Sequence, residues 1–434
     1  MKHEKKIILG GLIGNLVEAY DVAICGFMAF YLSKYIIGDG EQGVGIVFGL
    51  FFIAYIARPL GAFILGMLSD IYGRKNVLMG SIVVMGLATT AIGLLPTNQS
   101  IGLLAAFALL VLRIIQSIAC GSEFLNSVSF LVESGQDKGK GFRACFTSFG
   151  IMSGMLIASL TTELLFSRMT PDNEYWVWRL PFLFAGIGTL AGLYVRMNIP
   201  ESLQYILYYS NKPKPKAHEI ITQSMKLFKH HPFLFNYAFV TSFLSVASTF
   251  LFYVYVPIHA QLHSTFSKSQ IFLSNTCSLL LILALIPLFG RLLDKVDRLK
   301  MIQFATAGFL VLVYPFIYAL NFGNYPVFFM MQLLVTIPAA CYYVVSSVLL
   351  TDIFPIQVRC TTLSITYSIA ASLGAGLIPM ISMYLVNKTH ILTSPSWIVV
   401  AVAAIAMLNF VYLHKKYRQQ KNQYHSLKLV EELS

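Results

Sequence analysis

Glu18 and Asp21 stand three residues apart in "GNLVEAYDVAICGF", a run that is otherwise mostly apolar. On a helix that spacing puts both carboxylates on one face, with Asn15 one turn before them. In lipid an ionised carboxylate costs roughly 2.5–3.5 kcal/mol on insertion scales, so two of them imply a use. Arg58, Arg113 and Glu123 lie in similarly apolar surroundings. Arg113, Gln116, Cys120 and Glu123 fall within about 80° of one another at 100° per residue, a polar stripe facing a cavity or neighbouring helices. Two kinds of chemistry fit. The charges can neutralise one another as ion pairs that hold helices together. Alternatively, an acid carries a proton: desolvation favours the neutral form of a buried carboxyl group and a nearby guanidinium favours the charged form, so a movement that separates them changes proton affinity. A guanidinium can also grip a solute's carboxylate with two parallel hydrogen bonds. Glu18, Asp21, Arg113 and Glu123 are thus candidates for proton coupling. Arg58, Arg113, Asn15, Tyr20, Gln116 and Tyr367 are candidates for substrate binding.

The elements that must hold these residues are membrane helices. The chain has 434 residues, 57% hydrophobic and 12% charged, where a soluble domain carries about 25% charged residues. Apolar stretches long enough to cross a ~30 Å hydrocarbon core recur. Twelve are expected, at about 7–35, 44–69, 76–95, 101–132, 141–167, 177–197, 233–262, 267–293, 301–321, 325–351, 358–387 and 394–413. With the N-terminus in the cytoplasm, the inner loops and tails hold 24 of the 31 Lys and Arg and the outer side five, with Arg58 and Arg113 left inside spans. That split orients the chain with both termini cytoplasmic. The net charge of +12 therefore reflects topology, and scattered short basic segments argue against nucleic acid as a partner. "MKHEKK" resembles a signal n-region, but the span after it is long, acidic and without a small-residue cleavage site, so it is expected to be retained.

The chain also repeats itself. "GMLSDIYGRK" after span two and "GRLLDKVDRLK" after span eight share Gly66, Leu68, Asp70 and Arg74 with Gly290, Leu292, Asp294 and Arg298, at identical spacing. A weaker echo links "VESGQDKGKGFR" after span four to "TDIFPIQVR" after span ten: an acid, a short connection, then Arg143 or Arg359. The expected organisation is an N-terminal six-helix bundle (1–197), a cytoplasmic linker (198–232) around the Pro-interrupted "NKPKPKAHE", a C-terminal six-helix bundle (233–413) and a short cytoplasmic tail (414–434). Paired halves with a site between them are characteristic of secondary transporters. Gly66, Asp70, Gly73, Arg74, Lys75, Asp294 and Arg298, at the membrane surface, are candidates for gating by pairing across helix ends.

These residues carry a family resemblance. "GMLSDIYGRK" resembles the loop motif G-x-L-x-D-x-x-G-R-K of the major facilitator superfamily, and "RIIQSIACGSE" resembles its fourth-helix motif. "GNLVEAYD", "ARPLGAFILGMLSDIYGRK", "ACGSEF" and "WRLPFLFAGI" are similar to the metabolite:proton symporter family of proline/betaine, α-ketoglutarate, citrate and shikimate symporters. The resemblance implies a twelve-helix fold, proton coupling and a carboxylate-bearing substrate. Ala19 stands where the family usually has Trp, Ser117 replaces a Gly, and Ser122 and Phe124 replace Gly and Tyr, so the substrate does not transfer from a relative. The tail "HSLKLVEELS" cannot supply three heptads, unlike the coiled-coil extension of osmosensing members.

The sequence thus reads as an all-α polytopic membrane protein of the bacterial inner membrane. It is expected to act as a monomeric symporter that imports a small carboxylate-bearing or zwitterionic solute with protons. A proton-coupled exporter on the same fold is the alternative. No cofactor or metal is expected: Cys25, Cys120, Cys145, Cys277, Cys341 and Cys360 read as small apolar helix residues, and no CxxC, HExxH or G-x-S-x-G pattern marks an enzyme. His259 and His263 read as surface residues near the outer end of span seven. Tyr314, Tyr342 and Tyr343 are weaker cavity candidates that, with Tyr20 and Tyr367, could stack on a quaternary ammonium. Pro257, Pro287, Pro338 and Pro379 are expected to let their spans bend.

Overall fold

The computed structural model describes residues 2–38, 43–134, 139–166, 168–210, 213–320 and 323–411; Lys138, Lys212 and the tail 414–434 lie outside them. Among the described residues, twelve helices are long and apolar enough to cross a membrane: α1 (Ile8–Phe27), α2 (Gly45–Tyr72), α3 (Arg74–Gly93), α4 (Leu104–Glu133), α5 (Lys140–Leu165), α6 (Glu174–Met197), α7 (Pro232–Ala260), α8 (Gln270–Leu293), α9 (Arg298–Tyr318), α10 (Tyr325–Ile353), α11 (Arg359–Val386) and α12 (Ser394–Val411). Each coincides with an expected span to within a few residues, apart from the first, where after a turn at Met28 a short helix over Ala29–Leu32 and a π-helical turn over Ser33–Ile37 continue the span.

α1 packs on α5 and α6, and α3 on α4 and α6; among the last six, α10 packs on α8 and α9, and α7 on α11 and α10. The two groups meet chiefly where α2 lies along α11 and α5 along α8. Small residues set these approaches. A Cβ on Gly66 would stand 2.9 Å from the Cys360 carbonyl oxygen, so the motif glycine lets α2 touch the backbone of α11. The segment expected as a linker carries two helices of its own, Leu203–Tyr209 and Ala217–His230.

Several spans are broken rather than straight. α2 is interrupted at Ala57 and α4 at Gly121–Ser122. α7 and α11 widen into π-helical turns at Leu251–Tyr255 and Ser372–Leu377, each followed within two residues by a proline, Pro257 or Pro379. Proline lacks an N–H and crowds the preceding turn, which accounts for the local loosening. Pro287 and Pro338 sit inside α8 and α10.

Candidate functional site

The five charged candidates inside the first four spans, Glu18, Asp21, Arg58, Arg113 and Glu123, sort into three separate clusters. In the first, Arg58 of α2 donates from Nη2 to Glu18 of α1 at 2.7 Å, and also to the Cys120 carbonyl of α4 at 3.3 Å. Both side chains are buried, and Glu18 Oε2 and Arg58 Nε have no protein partner. Tyr55 of α2 lies under the guanidinium, 5.9 Å from its ring centre. Tyr367 of α11 is within electrostatic reach of the same pair and packs on Phe124 of α4 at 4.9 Å between ring centres. Ser368 Oγ donates to the Gly121 carbonyl at 2.6 Å and Ser372 Oγ to the Tyr55 carbonyl at 2.7 Å. The pair therefore sits where the two bundles meet, with α11 stapled beside it.

The second cluster is a chain of hydrogen bonds. Arg113 Nη1 donates to Gln116 Oε1, Gln116 Nε2 to Thr89 Oγ1 at 2.7 Å, and Thr89 Oγ1 lies 2.9 Å from Asp21 Oδ2. Arg113 lies over the Phe51 ring at 4.2 Å. Asp21 is fully buried and makes no direct ion pair among the described residues. In the third, Glu123 pairs with Arg196 and accepts from Ser81 Oγ at 2.6 Å; Arg196 also donates to the Leu78 carbonyl. Arg196, read from sequence as an inner-loop charge, is buried at the end of α6 and reaches back to Glu123. Gly14 makes room for it: a Cβ there would collide with the Arg196 guanidinium and stand 2.8 Å from Glu123 Oε1.

The remaining substrate candidates divide. Asn15 donates to the Gly11 carbonyl and to Ser127 Oγ, both at 2.7 Å, tying α1 to α4. Tyr20 donates to the Pro181 carbonyl at 3.1 Å within the packing of α1 on α6. Tyr342 donates to the Thr241 carbonyl at 3.0 Å inside the second bundle. Tyr343 lies 3.4 Å from Ser248 Oγ, whereas Tyr314 is exposed and stacks on Tyr318. His259 is buried rather than superficial: its Nε2 lies 3.0 Å from the Leu392 carbonyl and so carries the proton. His263, beside it, lines a shallow cavity with Val386, His390 and Leu392.

The residues expected to gate form a network that joins the two bundles, here called the lock, at the end where α2 turns into α3. Asp70 accepts from Thr361 N at 2.9 Å, Thr361 Oγ1 at 2.7 Å and Cys360 N at 3.3 Å, capping the N-terminus of α11 from the other bundle. Arg74 donates from Nε to Glu133 at 3.0 Å and to the Ser69 and Ile356 carbonyls. Glu133 also accepts from Arg359 Nη1 of α11 at 2.7 Å, so one carboxylate holds arginines from both bundles. Asp294 repeats the Asp70 arrangement, accepting from Gly141 N at 2.8 Å and Phe142 N at 3.1 Å at the start of α5. Arg298 pairs with Asp352 as Arg74 pairs with Glu133. Glu133 and Asp352, Gly141 and Cys360, and Phe142 and Thr361 are each 219 residues apart, so the weaker repeat is exact in structure, with Lys140 rather than Arg143 at the place of Arg359.

Sequence reasoning missed Glu201, Tyr205 and Tyr208 as parts of this lock. Glu201 accepts from the N–H groups of Arg74 and Lys75, both at 3.1 Å, and occupies the space beside Gly73, whose φ of +99° suits glycine. Lys75 Nζ reaches the Met197 carbonyl at 3.0 Å. The first linker helix straps the lock: Tyr205 donates to the Ile71 carbonyl at 2.6 Å under the Arg74 guanidinium, and Tyr208 accepts from Gln357 at 2.8 Å. Burial pushes the Tyr205 phenol up to about 12, against the lowering effect of Arg74, so it remains a donor. Only the acid of "VES" was visible as a signal; nothing in the sequence ties "PES" to a distant helix start.

The sequence profile of the Major Facilitator Superfamily matches residues 11–274 and 238–431. A putative proline/betaine transporter of Staphylococcus aureus (strain COL) is 26% identical over 426 residues, covering 95% of this chain and 89% of its own. The ectoine/proline transporter ProP of Corynebacterium glutamicum is 28% identical over 436 residues, covering 95% and 84%. Among solved structures, the proton:xylose symporter XylE bound to 6-bromo-6-deoxy-D-glucose shares the fold with a TM-score of 0.76 at 18% identity, over 95% of this chain and 96% of its own.

Proposed function

This chain belongs to the major facilitator superfamily, and on that premise we propose that it imports a small zwitterionic or carboxylate-bearing solute together with protons. The protein is a multi-pass membrane transporter. The observation that carries the substrate reading is the buried Glu18–Arg58 pair at the meeting line of the bundles, ringed by Tyr55, Phe124 and Tyr367. A solute carboxylate can displace Glu18 from Arg58. The freed carboxylate then meets a cationic nitrogen on the same solute, and the aromatic faces favour it further. A neutral sugar offers neither charge. Relatives named for proline, betaine and ectoine support this reading.

Alternating access follows from two bundles rocking about the site, with the segment 198–232 as tether. The lock at Asp70, Glu133 and Asp294 closes one entrance, which the basic residues assign to the cytoplasm of a bacterial cell. Glu18 and Asp21 are the proton carriers, since both are buried acids within reach of guanidinium groups that move with different helices. Uptake into proteoliposomes under an imposed pH gradient tests the proposal, screened over proline, glycine betaine, ectoine, α-ketoglutarate and xylose. Proton-driven accumulation of a zwitterion or organic acid, abolished by Arg58→Ala, is expected. Accumulation of xylose alone, or uptake indifferent to the pH gradient, would overturn it.

A further inference from the structure

Thr89 Oγ1 has two acceptors within reach, Asp21 Oδ2 at 2.9 Å and the Met85 carbonyl one turn back at 3.0 Å, and it has one proton to give. It also accepts from Gln116 Nε2 at 2.7 Å. When Asp21 is ionised, Thr89 must donate to it, since Oδ1 has no partner and Oδ2 has no other. Every donor then points one way, from the Arg113 guanidinium through Gln116 and Thr89 to the carboxylate. When Asp21 is protonated, a proton on Oδ1 would be a buried donor without an acceptor, which is costly. On Oδ2 it donates to Thr89, whose own proton turns to Met85, and a hydroxyl's one donor and two acceptor sites are all used.

We propose that Thr89 is a positioning residue in proton coupling: its hydroxyl reverses direction with the protonation of Asp21, while Gln116 holds it in line with Arg113 in both states. The inference rests on Asp21 being a proton carrier, as argued above. The titratable or charged groups facing Asp21 are Arg113 and Cys120 of α4 and Glu18, Tyr20 and Cys25 of α1; α3 brings Thr89. Cys25 meets Arg113 and lies within electrostatic reach of Asp21, but the hydrogen bonds that reach Asp21 from Arg113 run through two uncharged side chains, Gln116 and Thr89. A helix shift that breaks either bond separates the proton site from its counter-charge.

The test needs no solute. Purified protein in liposomes is titrated while the infrared C=O stretch of protonated carboxyl groups is followed, and the component lost in Asp21→Asn is assigned to Asp21. Thr89→Val removes the ionised form's one donor and is expected to tighten proton binding about tenfold, moving the midpoint up by about one pH unit. Thr89→Ser restores the hydroxyl and the wild-type midpoint. Gln116→Leu, which cuts Arg113 off from Thr89, moves it in the same direction as Thr89→Val. An unchanged or lowered midpoint in Thr89→Val overturns the proposal, as does an equal shift in the serine variant. Should the valine variant fail to fold, the same comparison is made with Thr89→Ala and Gln116→Leu. Loss of proton-driven uptake in the wild type would remove the symport reading and leave the switch standing. Intact uptake with no Thr89 effect would remove the switch alone.

Discussion

Replacing Asp70 by Asn tests the lock where its energy can be read from the structure. Asp70 accepts three hydrogen bonds, all from the first turn of α11 and therefore all between bundles. The amide keeps one acceptor oxygen and turns an NH2 group toward backbone N–H donors. At least one charge-assisted bond is lost, ~1.5–3 kcal/mol, together with the attraction of a negative charge to a helix N-terminus, about 0.3–1 kcal/mol. The Arg74 contact at 3.5 Å lies within one bundle, persists in both states and drops out of the difference. The closed state should thus lose about 2–4 kcal/mol, lowering the closed-to-open ratio roughly 30- to 700-fold. Spin labels at Tyr72 and Val296, exposed positions on opposite bundles, report it by pulsed dipolar spectroscopy. The wild type should show one short distance, and Asp70→Asn a second, longer one, with equilibrium affinity for the transported solute within a few-fold. A distance distribution identical to wild type, or loss of binding with an intact transport cycle, would refute the assignment of Asp70 to the gate.

Asp294→Asn should shift the same distances less, because Asp294 accepts only from two backbone N–H groups and has Phe142 where Asp70 meets the Thr361 hydroxyl. Asp21→Asn should abolish uphill uptake while sparing exchange of labelled for unlabelled solute; if the Glu18→Gln, Asp21→Asn double variant still concentrates solute with normal proton dependence, the relay lies elsewhere. Gly14→Ala drives a methyl group into the Arg196–Glu123 pair, and a broken buried pair costs about 3–5 kcal/mol, so the thermal midpoint of the purified protein should fall markedly; an unchanged midpoint would contradict that packing. From outside sealed cells, thiol reagents should label Asn98→Cys and Asn173→Cys and spare Lys214→Cys in a cysteine-free background, the reverse pattern sinking the assigned orientation.

The spans were legible because an apolar run of fixed length is imposed by the bilayer and owes nothing to partner helices. The repeat of Asp70 and Asp294 was legible because both sit at the end of a span with the same neighbours at identical spacing. Which charge meets which was not legible. Glu18, Asp21 and Glu123 looked equivalent along the chain, yet one finds a guanidinium on α2, one a threonine on α3 and one an arginine on α6, since helix packing brings together residues 40, 68 and 73 positions apart. Arg196 was misplaced for a simple reason: a long side chain at a helix end can turn inward, and sequence position does not say which way it turns. Glu201 and Tyr205 were invisible because their partners are backbone groups at the distant ends of α2 and α3, which leave no trace in side-chain identity.

The capping of α11 by Asp70 and of α5 by Asp294 has a bearing on how such a protein tolerates change. At Gly141, Phe142 and Cys360 the acid reads only main-chain N–H groups, and those are supplied by every residue except one. The hydrogen bonds at these three positions therefore do not depend on side-chain identity, and only proline would remove the donor outright; space is what restricts them, since a Cβ on Gly141 would stand 2.9 Å from the Gly290 carbonyl oxygen and Cys360 is fully buried. Each latch thus has one half set by charge, the aspartate, and one half set by space and a main-chain donor, so the two halves admit different substitutions.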